Sequence, residues 1–484
     1  MLIALAAIVA LQNATSVKDW RATAIADVTA AYREFADNHP GMKNPEDPQF
    51  PARLRAARDA SLAAAKNASD PSGYRKALDV FSEGLSDGHA FVSAFGDVHS
   101  GRPLWPGFVA AWRGRNEVVF HAGPASPAPA GSVILSCDGK PVTQAIRENS
   151  RGMWFRPAEA GQWWTIGPLL FVGSSPPDAT QPRRCRFRLP DGSHRDALLN
   201  WTALPDATFD LIGKAMAGER TAIGLTEPRK GIFLIGLPTF SPDEAGVRAY
   251  RTLYSDIDRR RTELLDADAV VLDLRFNNGG SSEWPLELAR RLWGKAAVEA
   301  RMDAYFRNVR IWWRVSPENV AAMAEREAKI RANGQADAAD HEHAVGEGMK
   351  AALAAGRDYF IDVPAESSRA NAPIPPTDVK TRVYVITYGG CASACLDAID
   401  VFKRFPNVKL IGAPTSADST YLDVRHAELP SGKGAITIPL KVWMNRPRLS
   451  GEVYRPDIPF DQLDWSTAAF LDRIKRDLKG PTAH

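Results

Sequence analysis

The sequence predicts an α/β protein with several domains. Its 484 residues exceed what one hydrophobic core usually holds. Apolar residues recur at helical spacing in the first part of the chain, and short alternating runs between Pro- and Gly-rich turns follow. The second half alternates strand-like and helix-like segments. This βαβ order predicts a parallel sheet covered by helices.

Two segments are predicted at the N-terminus. Met1–Leu11 is almost continuously apolar and too short to span a bilayer. It predicts a signal peptide over residues 1–16 and export to the periplasm or the exterior. A buried N-terminal helix is the alternative interpretation of the same run. Residues 17–89 then have the periodicity of a helical region.

A small β domain is predicted over residues 90–215. Strand-like runs occur at Glu117–His121, Ser132–Ser136 and Cys185–Leu189, and Asp138-Gly139 has the composition of a tight turn. The alternation of outward polar and inward apolar residues indicates a sheet that buries one of its faces.

The α/β domain is predicted over residues 216–480, and a charged, Ala-rich helical insert interrupts it at 317–355. Continuous apolar runs typical of strands covered on both faces alternate with helical periods. The predicted strands are Gly231–Leu237, Ala269–Leu274, Arg382–Thr387 and Val408–Gly412, and the predicted helices are Asp243–Leu265, Glu283–Leu292 and Ala394–Phe402.

Composition restricts the classes of partner. The formal net charge is only +3, and the basic residues are spread along the chain, so neither nucleic acid nor a membrane surface is an expected partner. The cysteines pair by region as Cys391–Cys395 and Cys137–Cys185, as an exported protein permits; four buried free thiols are the alternative. Their spacing resembles no zinc site, and we expect neither a metal nor a cofactor.

Ser393 lies where a buried strand ends in Gly389-Gly390 and a helix begins. Such a turn exposes the hydroxyl beside the first free N–H groups and the positive end of the helix, which suits a developing oxyanion. A helix N-cap explains a serine at this position equally well. A second strand ends in Asn277-Asn-Gly279-Gly280, where glycine can bring N–H groups close to a substrate carbonyl. The alternative there is an ordinary glycine-rich turn.

Together these motifs resemble a known family. Three motifs follow one another over residues 230–460: Asp273-Leu-Arg275-Phe-Asn277-Asn-Gly279-Gly280, Ala392-Ser393-Ala394 and Gly412-Ala-Pro414-Thr415. Their order is similar to that of the C-terminal processing (tail-specific) peptidases and their tricorn-core and interphotoreceptor-retinoid-binding relatives. Residues 131–142 resemble a strand and turn of the PDZ module. The resemblance implies a crotonase-like (ClpP/crotonase) α/β superhelix and a PDZ-like β domain.

By that resemblance Ser393 is the nucleophile, and the N–H of Ala394 with one N–H from Gly279 or Gly280 forms the oxyanion hole. The tail-specific branch uses a lysine base, but Asp418 occupies the matching position here. Burial shifts the pKa values of aspartate and lysine in opposite directions, so a Ser–Lys dyad is not expected.

The resemblance therefore points to the histidine-using members of the family, of the tricorn and chlamydial types. His89, in an Asp-x-His segment, is the expected base, and Glu452 near the C-terminus is the expected acceptor that orients it. Asp418 and Asn277 are expected to line the substrate pocket. The other histidines considered have weaker placements or ordinary strand and turn interpretations: His99, His426, His121 and His194.

The predicted function is that of a serine endopeptidase acting on polypeptide substrates, with no stable membrane insertion after signal removal. One alternative is an inactive family member that binds peptides or another ligand. A PDZ-dominated scaffold and a crotonase-like acyl-CoA enzyme are two others, although the sequence has no adenine-pocket signature. The sequence leaves the oligomeric state open.

Overall fold

The computed structural model describes residues 19–95, 103–150, 155–173, 181–362, 374–377 and 379–480. The predicted signal peptide 1–16 and His99 lie outside these residues. Three helices, α1 (Trp20–Asn38), α2 (Phe50–Ala65) and α3 (Pro71–Leu85), form the N-terminal region. No helix in the described ranges combines the length and the apolar character that a membrane span requires.

Local sequence signals explain the limits of two of these helices. The Asp19 carboxylate accepts the N–H of Ala22 at the start of α1, and Asp70 does the same for Gly73 at the start of α3. Helix α3 ends at Ser86, which adopts a left-handed conformation with φ 53°. A tight turn then leads into strand β1 (Phe91–Ala94).

The next region is antiparallel β structure. In the described residues its main sheet has the order β3-β4-β5-β7-β8, with β6 beside β5, and a disulfide joins Cys137 on β5 to Cys185 on β7. Its elements are β2 (Leu104–Trp105), β3 (Phe108–Arg113), β4 (Asn116–Ala122), β5 (Val133–Cys137), β6 (Lys140–Pro141), α4 (Val142–Asn149), α5 (Gln162–Ile166), the 3-10 helix Gly167–Phe171, β7 (Arg184–Arg188), β8 (His194–Leu198), β9 (Thr202–Ala203) and α6 (Thr208–Ala217).

The second half builds a sheet with the order β10-β11-β12-β15-β16-β19. All neighbours are parallel except β10 and β11. The elements are β10 (Gly224–Arg229), β11 (Ile232–Gly236), α7 (Glu244–Arg259), α8 (Arg261–Leu265), β12 (Ala269–Asp273), α9 (Glu283–Trp293), α10 (Lys295–Phe306), β13 (Arg310–Arg314), α11 (Pro317–Ala332), α12 (Ala336–Ala354), β14 (Tyr359–Asp362), β15 (Arg382–Thr387), α13 (Ala394–Phe402), β16 (Val408–Gly412), β17 (Tyr421–Glu428), β18 (Gly434–Met444), β19 (Ile458–Pro459) and α14 (Thr467–Leu478).

A second sheet, which the sequence did not predict, joins distant parts of the chain. Strands β1, β18, β13 and β14 follow one another in it, and β17 pairs with β18. The apolar faces of α1, α2 and α3 pack against this sheet, with Phe35, Leu54 and Phe81 contributing to a core that also holds Ile438 and Val442. The N-terminal helices are thereby attached to strands that follow the predicted nucleophile.

Several local predictions are confirmed. Strands Arg382–Thr387 and Val408–Gly412 and helix Ala394–Phe402 have the predicted bounds. The predicted helix Asp243–Leu265 is wrong in its continuity, because Arg260 leaves helical geometry at φ −101° and ψ 16° and separates α7 from α8. The chain therefore has a mixed α/β architecture of several structural units.

Candidate active site

The carboxyl ends of three neighbouring parallel strands bring the predicted motifs together. Strands β12, β15 and β16 are adjacent and parallel, so the loops that follow them leave the sheet at one edge, where open α/β sheets bind ligands. Gly279 and Gly280 follow β12, Ser393 follows β15, and Thr415 follows β16.

Ser393 has an unusual backbone conformation. It precedes α13 with φ 54° and ψ −129°, and its side chain makes no capping hydrogen bond. Ser393 is half-buried, and its hydroxyl makes no hydrogen bond to any other residue in the described part of the chain. A non-glycine residue in this region costs roughly 1–3 kcal/mol. Strain without a cap is what a nucleophile elbow shows, and it argues against the N-cap interpretation.

A disulfide encloses this turn. Cys391 and Cys395, both fully buried, are bonded to each other with their Cα atoms 5.4 Å apart. The N–H of Cys391 also donates to the carbonyl of Tyr388 at 3.1 Å. The covalent link thus fixes the residues on both sides of Ser393.

The glycine turn after β12 touches the serine. Gly279 has φ +113°, and a Cβ on it would lie 2.8 Å from the Cβ of Ser393 and 2.8 Å from the carbonyl oxygen of Ala392. Its N–H donates to Asn277 Oδ1 at 3.0 Å, and Asn277 Nδ2 donates to the carbonyl of Leu237 at 2.7 Å. Asn277 is fully buried. The sequence predicts Asn277 in the substrate pocket. In the structure, the oxygen and the nitrogen of its side-chain amide both bind backbone groups and thereby fix the turn.

Two backbone donors remain beside Ser393. The N–H groups of Gly280 and Ala394 make no hydrogen bond to the described residues. Ala394 is the first residue of α13, so its N–H belongs to the positive end of that helix. Of the two glycines, Gly280 is thus the one whose N–H is free to bind a developing oxyanion.

A buried ion pair holds the end of β12. Arg275 donates to both carboxylate oxygens of Asp273, with the Nη2–Oδ2 distance at 2.6 Å, and both side chains are fully buried. Its Nη1 also donates to the carbonyl of Trp465 at 2.8 Å. This pair ties the glycine turn to the segment before α14.

Asp418, assigned to the substrate pocket by sequence reasoning, has other partners. It belongs to a charged cluster of five residues that are mostly buried, Asp397, Asp400, Asp418, Arg446 and Arg448. Arg448 donates to one oxygen of Asp418, and Arg446 Nη1 lies 3.5 Å from the same oxygen. Burial raises the pKa of Asp400, against the opposing effect of Arg448. Asp418 is 5% exposed and pairs with both arginines through Oδ1, whereas its Oδ2 has no hydrogen-bond partner in the described residues.

His89 lies in the tight turn between α3 and β1. Its backbone N–H donates to Asp87 Oδ1 at 2.8 Å, and Ser419 Oγ donates to Asp87 Oδ2 at 2.6 Å. The ring is half-buried, and Nδ1 is a buried atom without a hydrogen-bond partner in the described residues.

Hydrogen bonds connect this turn to the serine's helix. Arg446 Nη1 donates to the carbonyl of Ser419 at 3.4 Å, and its Nη2 donates to Asp397 Oδ1 at 2.7 Å. The N–H of Asp397 donates to the carbonyl of Ser393 at 3.2 Å. The described residues contain no direct hydrogen bond between the His89 ring and Ser393 Oγ.

Glu452 does not contact His89. Its carboxylate is exposed and accepts the N–H of Leu449 at 2.9 Å, which closes a local turn. The charge of the His89 ring interacts with the carboxylate of Asp423. Burial alone would raise the pKa of Asp423, but Lys441 at 2.7 Å and Arg326 at 2.9 Å, with a further contribution from His89, hold it below its usual range.

Sequence reasoning missed Asp423. It lies on β17 with φ 51°, between the cross-strand pairs Leu422–Lys441 and Val424–Pro439 of β17 and β18. One of its cationic partners, Arg326, comes from the helical insert. Neither contact has a local sequence signal.

Part of the β domain packs against the loop after β16. Glu159 Oε2 accepts the Oγ of Ser416 at 3.0 Å and the N–H of Ala417 at 3.1 Å. A Cβ on Gly161 would lie 2.3 Å from the carbonyl carbon of Thr415. Moving the 155–162 segment away from the candidate site would therefore break these hydrogen bonds.

The three other described histidines that the sequence analysis considered have structural surroundings. His426 on β17 shares a hydrogen bond with Thr437 Oγ1 at 3.1 Å, and burial followed by the charge of Lys329 lowers its pKa. His121 lies on β4 and His194 is exposed on β8. None of the three adjoins the serine turn through a hydrogen bond among the described residues.

Residues 232–458 match the family model of peptidase family S41. The match supports a serine-type peptidase of family S41. Solved structures of mature CPAF complexed with lactacystin and of mature CPAF are similar to the chain, each with 13% sequence identity and a TM-score of 0.61. The alignments cover 95% and 96% of this chain and 99% of each CPAF chain. Because the identity is low, the similarity to CPAF is a similarity of fold.

The photosystem II D1 C-terminal processing protease is also similar, with 14% identity over 91% of this chain and 93% of that chain and a TM-score of 0.34. No curated protein matches the sequence.

Proposed function

We propose that the chain is a serine endopeptidase in which Ser393 is the nucleophile, His89 the general base, and the N–H groups of Gly280 and Ala394 the oxyanion hole. The observation that carries the proposal is the strained, uncapped Ser393 in contact with the Gly279 turn. The S41 match over residues 232–458 supports the same reaction class independently.

The chemistry follows from these positions. His89 accepts the proton of Ser393 Oγ as the oxygen attacks the peptide carbonyl carbon, and the carbonyl π electrons move onto the oxygen. The N–H groups of Gly280 and Ala394 and the end of α13 stabilise that charge. The tetrahedral intermediate then expels the amine, which takes the proton from His89, and water hydrolyses the acyl-enzyme by the same steps. Hydroxyl and ring must approach each other when substrate binds, as catalytic hydrogen bonds often do.

Covalent labelling tests this proposal. A fluorophosphonate probe reacts only with an activated serine hydroxyl, so we expect stoichiometric labelling, mapped to Ser393 by mass spectrometry. Ser419, which donates its hydroxyl to Asp87, should stay unlabelled and is the internal control. Absence of labelling would favour the alternative of an inactive family member that binds peptides, which the lack of a hydrogen bond between the His89 ring and Ser393 Oγ in the described residues would also fit.

Asp423 rather than Glu452 is proposed to stabilise the charged form of His89. The active base is neutral, so kcat/KM should rise with pH, and a nearby carboxylate stabilises the charged imidazole. In Asp423→Asn, where Lys441 and Arg326 no longer face the charge of Asp423, we expect the rising limb of the profile to move to lower pH by about one unit.

Glu452→Gln is the matched control because its carboxylate only closes the turn with Leu449. It should leave the rising limb of the pH–rate profile of kcat/KM unchanged. A shift in Glu452→Gln with none in Asp423→Asn would return Glu452 to the role that the family resemblance gave it.

At the level of the fold, we propose that residues 216–480 form a crotonase-like catalytic domain with the insert 317–355, that residues 90–215 form a PDZ-like domain, and that residues 17–89 are the N-terminal helical region. The parallel order of β11, β12, β15 and β16 with intervening helices supports the first assignment. Both disulfides support export to an oxidising compartment.

A further inference from the structure

A cavity of about 630 Å³ opens where β13 begins and β18 ends. Its lining residues are Asn308, Arg310, Asn445 and Arg446. The size is within the range of small-molecule and side-chain sites. All four lining side chains carry N–H donors, and Arg310 and Arg446 have no acceptor atom at all, so the cavity is built to receive acceptors.

Most of these donors are unused. Arg310 donates through Nη1 to the carbonyls of Val309 at 2.9 Å and Arg307 at 3.4 Å, and it forms no ion pair with a carboxylate in the described residues. Nothing in that part of the chain accepts from the side-chain amides of Asn308 and Asn445. The positive charge of Arg310 therefore faces the cavity without a counter-charge.

Arg446 is a buried residue of the cavity lining. It is 5% exposed, and its Nη atoms donate hydrogen bonds to Asp397, Asp418 and Ser419. Its buried Nε has no hydrogen-bond partner in the described residues. The guanidinium carbon lies 5.1 Å from the centre of the Trp443 ring, which holds it in place. Leaving a buried charged donor unsatisfied is costly.

We propose that this cavity is a subsite for a carboxylate of the polypeptide substrate. Guanidinium groups bind carboxylates through charge-assisted hydrogen bonds, and carboxylates are the anions that an unmodified polypeptide offers. Arg446 also bonds to Asp397, whose N–H donates to the carbonyl of Ser393, so the subsite adjoins the nucleophile's helix. The substrate role rests on the proposed peptidase function; the binding of a carboxylate does not.

The test uses Ser393→Ala, which binds without cleaving, and four fluorescein-labelled decapeptides of one sequence. They combine an internal Glu or Gln with a C-terminal carboxylate or amide, and fluorescence anisotropy gives each Kd. We expect one of the two carboxylates to tighten binding by roughly tenfold or more. The peptide pair that shows the gain identifies the source as a side chain or a chain end.

Arg310→Gln, in the same background, should abolish that gain and leave the neutral peptide's Kd unchanged. Arg357→Gln, which removes an exposed arginine outside the cavity, is the matched control and should retain it. Saturation-transfer NMR with N-acetylglutamate provides a second readout that needs no peptide, and its signal should disappear in Arg310→Gln.

Equal Kd values for all four peptides together with no N-acetylglutamate signal would overturn the subsite, as would a charge preference that survives Arg310→Gln. Failure of fluorophosphonate labelling with an intact carboxylate preference would instead overturn the peptidase proposal and leave a carboxylate-binding site.

Discussion

Replacing Ser393 by alanine is expected to lower kcat/KM on a casein-derived peptide by roughly 10⁴- to 10⁶-fold, with binding retained. The reason is that no other described hydroxyl lies in a strained turn next to the free N–H groups of Gly280 and Ala394. Residual activity above the uncatalysed rate should persist, because the oxyanion donors remain in place. Single-turnover assays at saturating substrate separate this loss of chemistry from any loss of binding.

His89→Ala should give a loss similar to that of Ser393→Ala, and the double variant should be no worse than either, because a nucleophile and its base act as a unit. His426→Ala is the control: it removes an exposed histidine whose ring, within the described residues, shares a hydrogen bond with Thr437 alone, and it should retain activity. Full activity in His89→Ala, or additive losses in the double variant, would remove His89 as the base.

The sequence predicted those parts of the fold that depend on neighbouring residues. Arg382–Thr387 contains the continuous apolar run that is typical of a strand covered on both faces. Glycines and a segment with helical periodicity follow this run. In the structure, strand β15 and helix α13 have the bounds that the sequence predicts. The same reasoning located Gly279 and Ser393 at strand ends, and the parallel order of β12 and β15 brings them into contact.

What the sequence did not predict depends on contacts across long separations. Strand β1 pairs with β18 although more than 300 residues separate them, and this pairing places the His89 turn next to a sheet formed partly by strands that follow Ser393. Asp418 was expected in an open pocket because only its position in the motif was visible. Its burial depends on Arg446 and Arg448, which follow β18, and no local pattern identifies them as its partners.

Gly279→Ala is expected to lower kcat roughly 10²- to 10³-fold, comparable to the loss of an oxyanion-hole donor. The new methyl group would meet Ser393 Cβ and the Ala392 carbonyl, each at 2.8 Å, and Ala394 N at 3.2 Å. These atoms are backbone or next to it, inside a turn enclosed by the Cys391–Cys395 disulfide. They can yield only by moving the serine or the Ala394 N–H from its position. Steady-state kcat and the rate of fluorophosphonate labelling should fall together.

Gly294→Ala separates this effect from backbone strain. Gly294 also has positive φ, +87°, but a Cβ there would meet no atom within 4 Å. Each variant should lose about 1 kcal/mol or more of unfolding free energy in urea, because alanine is disfavoured at positive φ. Only Gly279→Ala should lose activity. If Gly279→Ala instead retains the activity of Gly294→Ala at equal stability, the glycine turn does not position the nucleophile, and the oxyanion hole must be formed without it.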